Sequence, residues 1–325
     1  MNLDLTLVDL LLPILTDLSS GVPVTDARWQ GLNASPTLSA VLENGRLTSL
    51  MEWRRIWEAA AWGEAPELGA RQRHVLANAR QALGRLEQVR TAAAALRTDL
   101  VSRMDEILRS DVLPNLPAGV SPAPAVALVL GIASGGGFFT GSGIYLDLGW
   151  IAGQGHDPVL LRKLLAHEIW HTGHYAALAP RLDQPWLGPV FQLQSEGAAN
   201  YLIGGTREVC EIAAEQGDER ASAFVTYADT FEPQARKRLR EYAEALEMLL
   251  TGDEESYQAY ERTLPDMPGY LHGVYMCRAI DAALGREALI ATLPDPVSFL
   301  LRYQEAAEKA QLPLLPKTLV ERLGR

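Results

Sequence analysis

Apolar residues in the first 110 positions recur at intervals of three and four, the spacing of one helix face. The leucines of MNLDLTLVDLLLPILTDLSSG (1–21) follow this spacing, as does a later series formed by Leu83, Leu86, Val89, Ala93 and Leu96. The pattern predicts an amphipathic core helix at the N-terminus and further helices over residues 48–110. Trp53 and Trp57 lie one helical turn apart, which is typical of a packed core stripe.

Proline density rises through VLPNLPAGVSPAPA, residues 112–125, and such a cluster indicates a linker or a change of architecture. We therefore expect an N-terminal helical region over residues 1–115. A second region over residues 116–325 is expected to carry the chemistry. The boundary is soft, and one compact domain is also compatible with the pattern.

Two short runs beyond this boundary are rich in β-forming residues. AVALVLGIAS (125–134) and GIYLDLGW (143–150) are joined by the glycine-rich GGGFFTGSG (135–143). This arrangement predicts a hairpin or two neighbouring strands with a flexible connection. The connection lacks the spacing of a dinucleotide-binding or P-loop phosphate motif. In the second run, apolar residues alternate with Tyr145 and Asp147.

From residue 157 onward the pattern again predicts helices. They are expected to be interrupted by helix-breaking residues, namely Pro180, Pro185, Gly204, Gly205, Gly252, Pro265, Pro268, Gly285 and Pro294. The sequence therefore predicts a mainly α protein with a small β-sheet, in the α+β class.

Composition narrows the class of protein. With 325 residues, 48% of them hydrophobic, the chain can bury a full core. The net charge of −11 argues against a nucleic-acid or anionic-membrane surface, which would require basic residues. Cys210 and Cys277 lie far apart and match no paired metal or disulfide spacing. The N-terminus has Asp4 and Asp9 where a leader has basic residues, so we expect a cytoplasmic protein.

The segment LLRKLLAHEIWHTGHY, residues 160–175, places three histidines and a glutamate in a mostly apolar run. Asp157 and Pro158 are typical of a helix start, and Pro180 bounds the other end. His167 and His171 then project from one face, about 40° apart around the helix axis. This is the HExxH arrangement, in which two imidazoles bind Zn²⁺ and the intervening glutamate acts on a water molecule.

The apolar surroundings of the motif favour a metal over a chance match. Ionisable groups removed from water cost several kcal/mol unless they are paired or coordinated. No Lys or Arg occurs between Lys163 and Arg181, so Glu168 has no cation one turn away. His174 lies about 10 Å along the axis from His167, too far to share one ion, and is expected to be a hydrogen-bonded histidine that either supports the site or belongs to the core.

The third ligand is predicted on the next helix, VFQLQSEGAANYLIGG (190–205), which begins near Pro189. A polar stripe of Gln192, Glu196 and Asn200 crosses its apolar sequence, and the residues after Glu196 are small enough to allow a close helix contact. Glu196 would complete a His₂Glu zinc site with an open fourth position. The alternative is a solvated acidic residue, which suits the apolar neighbours less well.

HEIWH at 167–171 together with SEGAANYL at 195–202 resembles the gluzincin metallopeptidases, the group of thermolysin and the alanyl aminopeptidases. The chain is most similar to a bacterial family of zinc-dependent peptidases described only as a domain of unknown function. The resemblance implies a zincin-like catalytic region, Zn²⁺ as cofactor and Glu196 as third ligand. It also implies that Asn200 braces a ligand histidine, at a position where thermolysin has aspartate.

The resemblance further implies a mechanism. Glu168 would act as general base toward a metal-activated water, and a Tyr or His from a later segment would stabilise the oxyanion. Tyr270, in a Tyr-x-x-Gly element within residues 268–286, is the first candidate for this donor, and His272 and Tyr275 are the others. A peptide could add to the strand GIYLDLGW if that strand is a sheet edge.

Two other functions remain open. A zinc hydrolase of a non-peptide amide or ester would use the same ligands and the same glutamate. A non-catalytic helical relative would act as a binding module, although the presence of His167, Glu168, His171 and Glu196 weighs against it. For a peptidase, the expected partner is a peptide or protein substrate, with no nucleic acid or membrane, and the oligomeric state is undetermined.

Overall fold

The computed structural model of the protein describes residues 3–63, 67–122, 125–132, 136–140, 143–153, 158–178, 187–215, 217, 219–264 and 270–323. These residues form many helices and one four-stranded sheet, which confirms the predicted mainly α architecture with a small sheet. They divide into two compact units, Met1–Arg109 with Ala123–Thr172 and Ser110–Pro122 with Gly173–Arg325. The functional boundary near residue 115 stays a prediction.

The first unit contains the predicted N-terminal helices. Its helices are α1 (Thr6–Ser19), α2 (Asp26–Gln30), α3 (Leu38–Asn44), α4 (Leu50–Trp62), α5 (Ala70–Gly84), α6 (Leu86–Ile107) and α7 (Leu148–Gly153), followed by the start of α8 (Pro158–Ala177). Helix α1 buries the face formed by Leu7, Val8, Leu11, Ile14, Leu15 and Leu18, as its spacing predicts. Trp53 and Trp57 are fully buried with ring centroids 6.2 Å apart, so the core-stripe interpretation is confirmed.

The sheet of the first unit has four strands in the order β1-β2-β4-β3. The strands are β1 (Leu3–Asp4), β2 (Val126–Val129), β3 (Gly137–Thr140) and β4 (Gly143–Asp147). Strand β1 pairs in parallel with β2, and β2 in parallel with β4, in the register Val126 to Ile144. Strand β3 pairs antiparallel with β4, in the register Phe138 to Tyr145.

The runs that form β2 and β4 are neighbouring strands, which is one of the two predicted arrangements, and they pair in parallel and not as a hairpin. The expectation about their connection is wrong. Part of the glycine-rich connection forms β3 instead of a loop, because its aromatic and threonine residues favour extended structure and Phe138 stacks on Tyr145 at 4.9 Å. Among the described strands, β3 therefore lies at the edge of the sheet, and β4 lies inside it between β2 and β3.

Strand β4 is buried on both faces, so its alternating pattern does not mark a solvent face. Asp147 is only 1% exposed, and its carboxylate accepts hydrogen bonds from three backbone N–H groups. The donors are Gly131 at 3.2 Å, Ile132 at 2.6 Å and Gly149 at 2.8 Å. These bonds compensate a buried charge and join the turn after β2 to the start of α7.

The described residues of the second unit form helices joined by turns and irregular segments, with no strand among them. After the end of α8 it contains α9 (Leu187–Leu202), α10 (Thr206–Glu215), α11 (Glu219–Asp229), α12 (Phe231–Leu250), α13 (Glu254–Glu261), α14 (Tyr270–Leu284), α15 (Arg286–Ile290), α16 (Pro296–Ala310) and α17 (Lys317–Leu323). Helices α9, α12 and α14 end just before Gly204, Gly252 and Gly285, so these breaks are confirmed. Pro180, Pro185, Pro265 and Pro268 lie outside the described residues.

The described part of the proline-rich segment, residues 112–122, combines buried and exposed residues and ends where the second unit gives way to the first. It includes a 3₁₀ turn, Leu113–Asn115, and the side-chain oxygen of Asn115 accepts a hydrogen bond of 2.7 Å from Arg286. Among the described residues, no helix combines the length and the apolar character needed to cross a bilayer.

Candidate metal centre

Helix α8 carries the histidine motif. It begins at Pro158, as predicted, while Asp157 and Pro180 lie outside the described residues. All residues from 164 to 171 are buried, and the exposed fractions of His167, Glu168 and His171 are 7%, 8% and 6%. The motif therefore lies in an environment where ionisable groups need compensation.

His167 and His171 present the same ring nitrogen to one another. Their Nε2 atoms are 3.0 Å apart, and their ring centroids are 4.7 Å apart. The i, i+4 spacing produces this convergence, because one helical turn returns the second side chain to the same face. Two nitrogen ligands of a tetrahedral Zn²⁺, each at about 2.0–2.1 Å, would lie about 3.3 Å apart, close to the observed separation.

Glu196 joins the two histidines. It lies on α9, which begins at Leu187, two residues before the predicted start at Pro189. One ligand atom from each of His167, His171 and Glu196 lies within 4.8 Å of the others. Two neutral imidazoles and a carboxylate are the donor set of a catalytic zinc site, so the chemistry and the spacing of these residues fit that ion.

Glu168 is buried beside the outer strand of the sheet. A Cβ atom placed on Gly137 of β3 would lie 3.7 Å from Cγ of Glu168, an ordinary van der Waals distance. The carboxylate-bearing side chain of the motif and the start of β3 are therefore neighbours.

A glycine contact positions α9 at the residue after Glu196. A Cβ atom on Gly197 would lie 2.4 Å from Cα of Gly273, and one on Gly273 would lie 2.2 Å from the carbonyl oxygen of Leu193. Helices α9 and α14 therefore cross backbone against backbone, and any side chain at either glycine would separate them. This confirms that the small residues after Glu196 permit a close helix contact. It also assigns the glycine of the Tyr-x-x-Gly element a packing role.

His174 is buried with polar contacts at both ring nitrogens, as predicted. It is fully buried, with Nδ1 3.1 Å from Oγ of Ser195 and Nε2 3.0 Å from the carbonyl oxygen of Leu293. Its ring also lies against Phe191, with centroids 5.2 Å apart.

The side-chain amide of Asn200 donates a 2.8 Å hydrogen bond to the backbone carbonyl of Glu196, one turn earlier in the same helix. This bond attaches the side chain of Asn200 to the backbone of Glu196 within α9. The role of Asn200 as a brace for a ligand histidine stays a prediction.

The three candidates for the oxyanion donor lie in α14, in different surroundings. Tyr270 is half-buried at the start of the helix, with its ring 6.4 Å from that of Phe224. His272 is fully buried, stacked on Tyr242 at 4.9 Å and edge-on to Phe231 at 5.0 Å. Burial lowers the pKa of His272 to about 4. Tyr275 is also buried, 6.2 Å from Phe231.

Sequence reasoning missed two residues beside the motif. Ser195 directly precedes Glu196, and its only signal is a hydroxyl in an apolar helix. Gly137 was assigned to a flexible loop, although it opens the strand next to Glu168. The positions of Ser195 and Gly137 near the motif depend on contacts between segments distant in sequence, which local spacing does not reveal.

Residues 43–312 match the model of a family described as "Putative zinc dependent peptidase (DUF5700)". No curated protein and no solved structure matches the chain.

Proposed function

Because this chain belongs to the DUF5700 family, whose model covers most of its length, we propose that it hydrolyses peptide bonds with one zinc ion held by His167, His171 and Glu196. The observation that carries the proposal is the grouping of these three ligand atoms within 4.8 Å. Glu168 is buried and directly follows His167 in the sequence, and it supplies the general base that the reaction needs.

When bound, zinc would supply Lewis-acid activation of the peptide carbonyl and of water. Glu168 takes the proton from the attacking water and delivers it to the leaving amine. It is suited to this role because it is offset by about 60° from His171 around the helix, which keeps its carboxylate near the ligands without making it one of them.

The substrate is best accommodated along β3. An extended peptide can add to the outer strand of a sheet, with its main chain hydrogen-bonded to the strand. Strand β3 is outermost beside β4, and its Gly137 lies next to Glu168. This replaces the expectation that the peptide adds to β4, which is an inner strand.

Tyr270, the most exposed of the three α14 candidates, is proposed as the oxyanion donor.

The test uses the purified full-length chain and its Glu168→Gln variant. Metal content is measured first, and cleavage of a peptide mixture is then followed by mass spectrometry with zinc, with a chelator and after zinc is restored. The expected result is chelator-sensitive cleavage by the wild type. Glu168→Gln should keep its zinc and lose cleavage by about 10²-fold or more, because it can no longer accept a proton.

Near-normal cleavage by zinc-loaded Glu168→Gln would refute the mechanism. An ester and a non-peptide amide in the same assay would identify a different hydrolase. A wild type that binds zinc and cleaves none of these substrates would support the non-catalytic alternative.

A further inference from the structure

The tautomer of His174 follows from its two neighbours. The carbonyl oxygen of Leu293 can only accept a hydrogen bond, so Nε2 of His174, 3.0 Å away, carries the proton. With one proton on the ring, Nδ1 is then an acceptor. The hydroxyl of Ser195, 3.1 Å away, donates to it. The hydroxyl and the ring therefore form a directed bond between α8 and α9.

This bond lies beside the proposed ligands on both helices. His174 follows His171 by three residues on the continuous helix α8, and Ser195 immediately precedes Glu196 on α9. The bond thus constrains both the rotation and the axial position of α9 at the residue before the carboxylate. His174 is in turn held at its far nitrogen by the backbone of Leu293.

We propose that His174 and Ser195 are positioning residues that hold Glu196 at ligand distance from His171. The inference rests on the proposed zinc site. Ligand groups must be held within about 0.5 Å of their productive geometry, and the residues behind them provide that precision. Loss of such supporting partners typically weakens metal binding by about 10–100-fold.

The chain allows the bond to be separated from the packing around it. Ser195→Ala removes one oxygen and changes the volume very little. His174→Phe removes both ring nitrogens but retains an aromatic ring to pack against Phe191. Ser195→Ala thus keeps the packing around residue 195, and His174→Phe keeps the packing of the aromatic ring.

The experiment measures the zinc dissociation constant of full-length variants by competition with a chromophoric chelator, and the visible absorption of the Co²⁺-substituted proteins. Ser195→Ala is expected to weaken zinc binding by about 10-fold or more and to change the Co²⁺ spectrum. His174→Phe is expected to do the same. The double variant should be no weaker than the weaker single variant, because both lose the same bond.

Tyr201→Phe is the matched control. It also removes one hydroxyl from α9, in this case the one that donates to Asp281 at 3.0 Å, but it leaves α8 untouched. Its zinc affinity is expected to stay within about 2-fold of the wild type. Wild-type affinity and an unchanged Co²⁺ spectrum in folded Ser195→Ala would overturn the inference, as would an equal loss in Tyr201→Phe. A wild type that binds no zinc would refute the proposed site itself.

Discussion

At the scale of single residues, Glu196 is the proposed ligand whose assignment depends most on the fold. Glu196→Ala is expected to weaken zinc binding by more than about 100-fold, because loss of a supporting partner alone already costs 10–100-fold. Gln192→Ala, one turn earlier on the polar stripe of α9, is the matched control and should bind zinc normally. Equilibrium dialysis with metal analysis provides the measurement. Full zinc at normal affinity in folded Glu196→Ala would show that the third ligand is another group.

His272 predicts a pH dependence of stability. Burial lowers its pKa from 6.5 to about 4, so the folded protein holds the ring neutral at neutral pH. The unfolded chain binds a proton at a higher pH than the folded chain does. The stabilisation is therefore complete above pH 6.5 and is lost progressively as pH falls toward 4, by about 3 kcal/mol in total.

The measurement for His272 is the free energy of unfolding in urea between pH 7.5 and 4.5, for the wild type and for His272→Phe. The variant replaces one aromatic ring by another between Tyr242 and Phe231. It is expected to lose less stability over this range than the wild type does. Equal slopes for the two proteins would mean that His272 takes up its proton at a similar pH in both states.

At the scale of elements, the crossing of α9 and α14 links packing to the candidate metal centre. Gly273→Ala would place a Cβ atom 2.2 Å from the carbonyl oxygen of Leu193, so the two helices must move apart. We expect a loss of about 1–3 kcal/mol in unfolding free energy, the usual cost of overpacking, together with weaker zinc binding, because Glu196 moves with α9.

Gly188→Ala is the control for this helix. A Cβ atom at Gly188, near the start of α9, would meet no atom of the described residues within 4 Å. The substitution should leave zinc affinity unchanged and leave stability equal or slightly higher, since alanine favours helix over glycine. Calorimetry and zinc titration on both variants provide the measurement. Equal stability in Gly273→Ala and the wild type would show that the helices can separate at little cost.

At the scale of the whole molecule, a ligand that binds only the folded state must raise its stability. Free zinc at 100 times its dissociation constant should add about 2.7 kcal/mol, and the melting temperature should rise by several degrees. Thermal unfolding of the wild type with and without zinc measures this shift. Glu196→Ala at the same zinc concentration should show none, and Mg²⁺ should not replace zinc, because it prefers oxygen ligands. A shift of equal size in Glu196→Ala would place the stabilising zinc elsewhere.

The net charge of −11 also acts at this scale. It motivates the expectation that neither nucleic acid nor an anionic membrane is a partner. That expectation, the cytoplasmic location and the peptide or protein substrate stay predictions.

The sequence by itself determined the features that depend on neighbours along the chain. The convergence of His167 and His171 follows from the rise and turn of one helix, and the buried face of α1 follows from its apolar spacing. The mainly α class and several helix ends have the same origin, because glycine and proline act on the backbone locally.

Only the tertiary structure decided what depends on contacts between distant segments. The strand order places β3 outside β4 among the described strands, and β4 is buried. The sequence alone suggested the opposite, because residues 143–150 alternate like an edge strand and the glycine-rich connection before them is typical of a loop. The bond from Ser195 to His174, the Gly197–Gly273 crossing and the burial of His272 each join residues far apart in sequence. Local spacing cannot specify such contacts, because the energy that forms them comes from the packing of whole elements against one another.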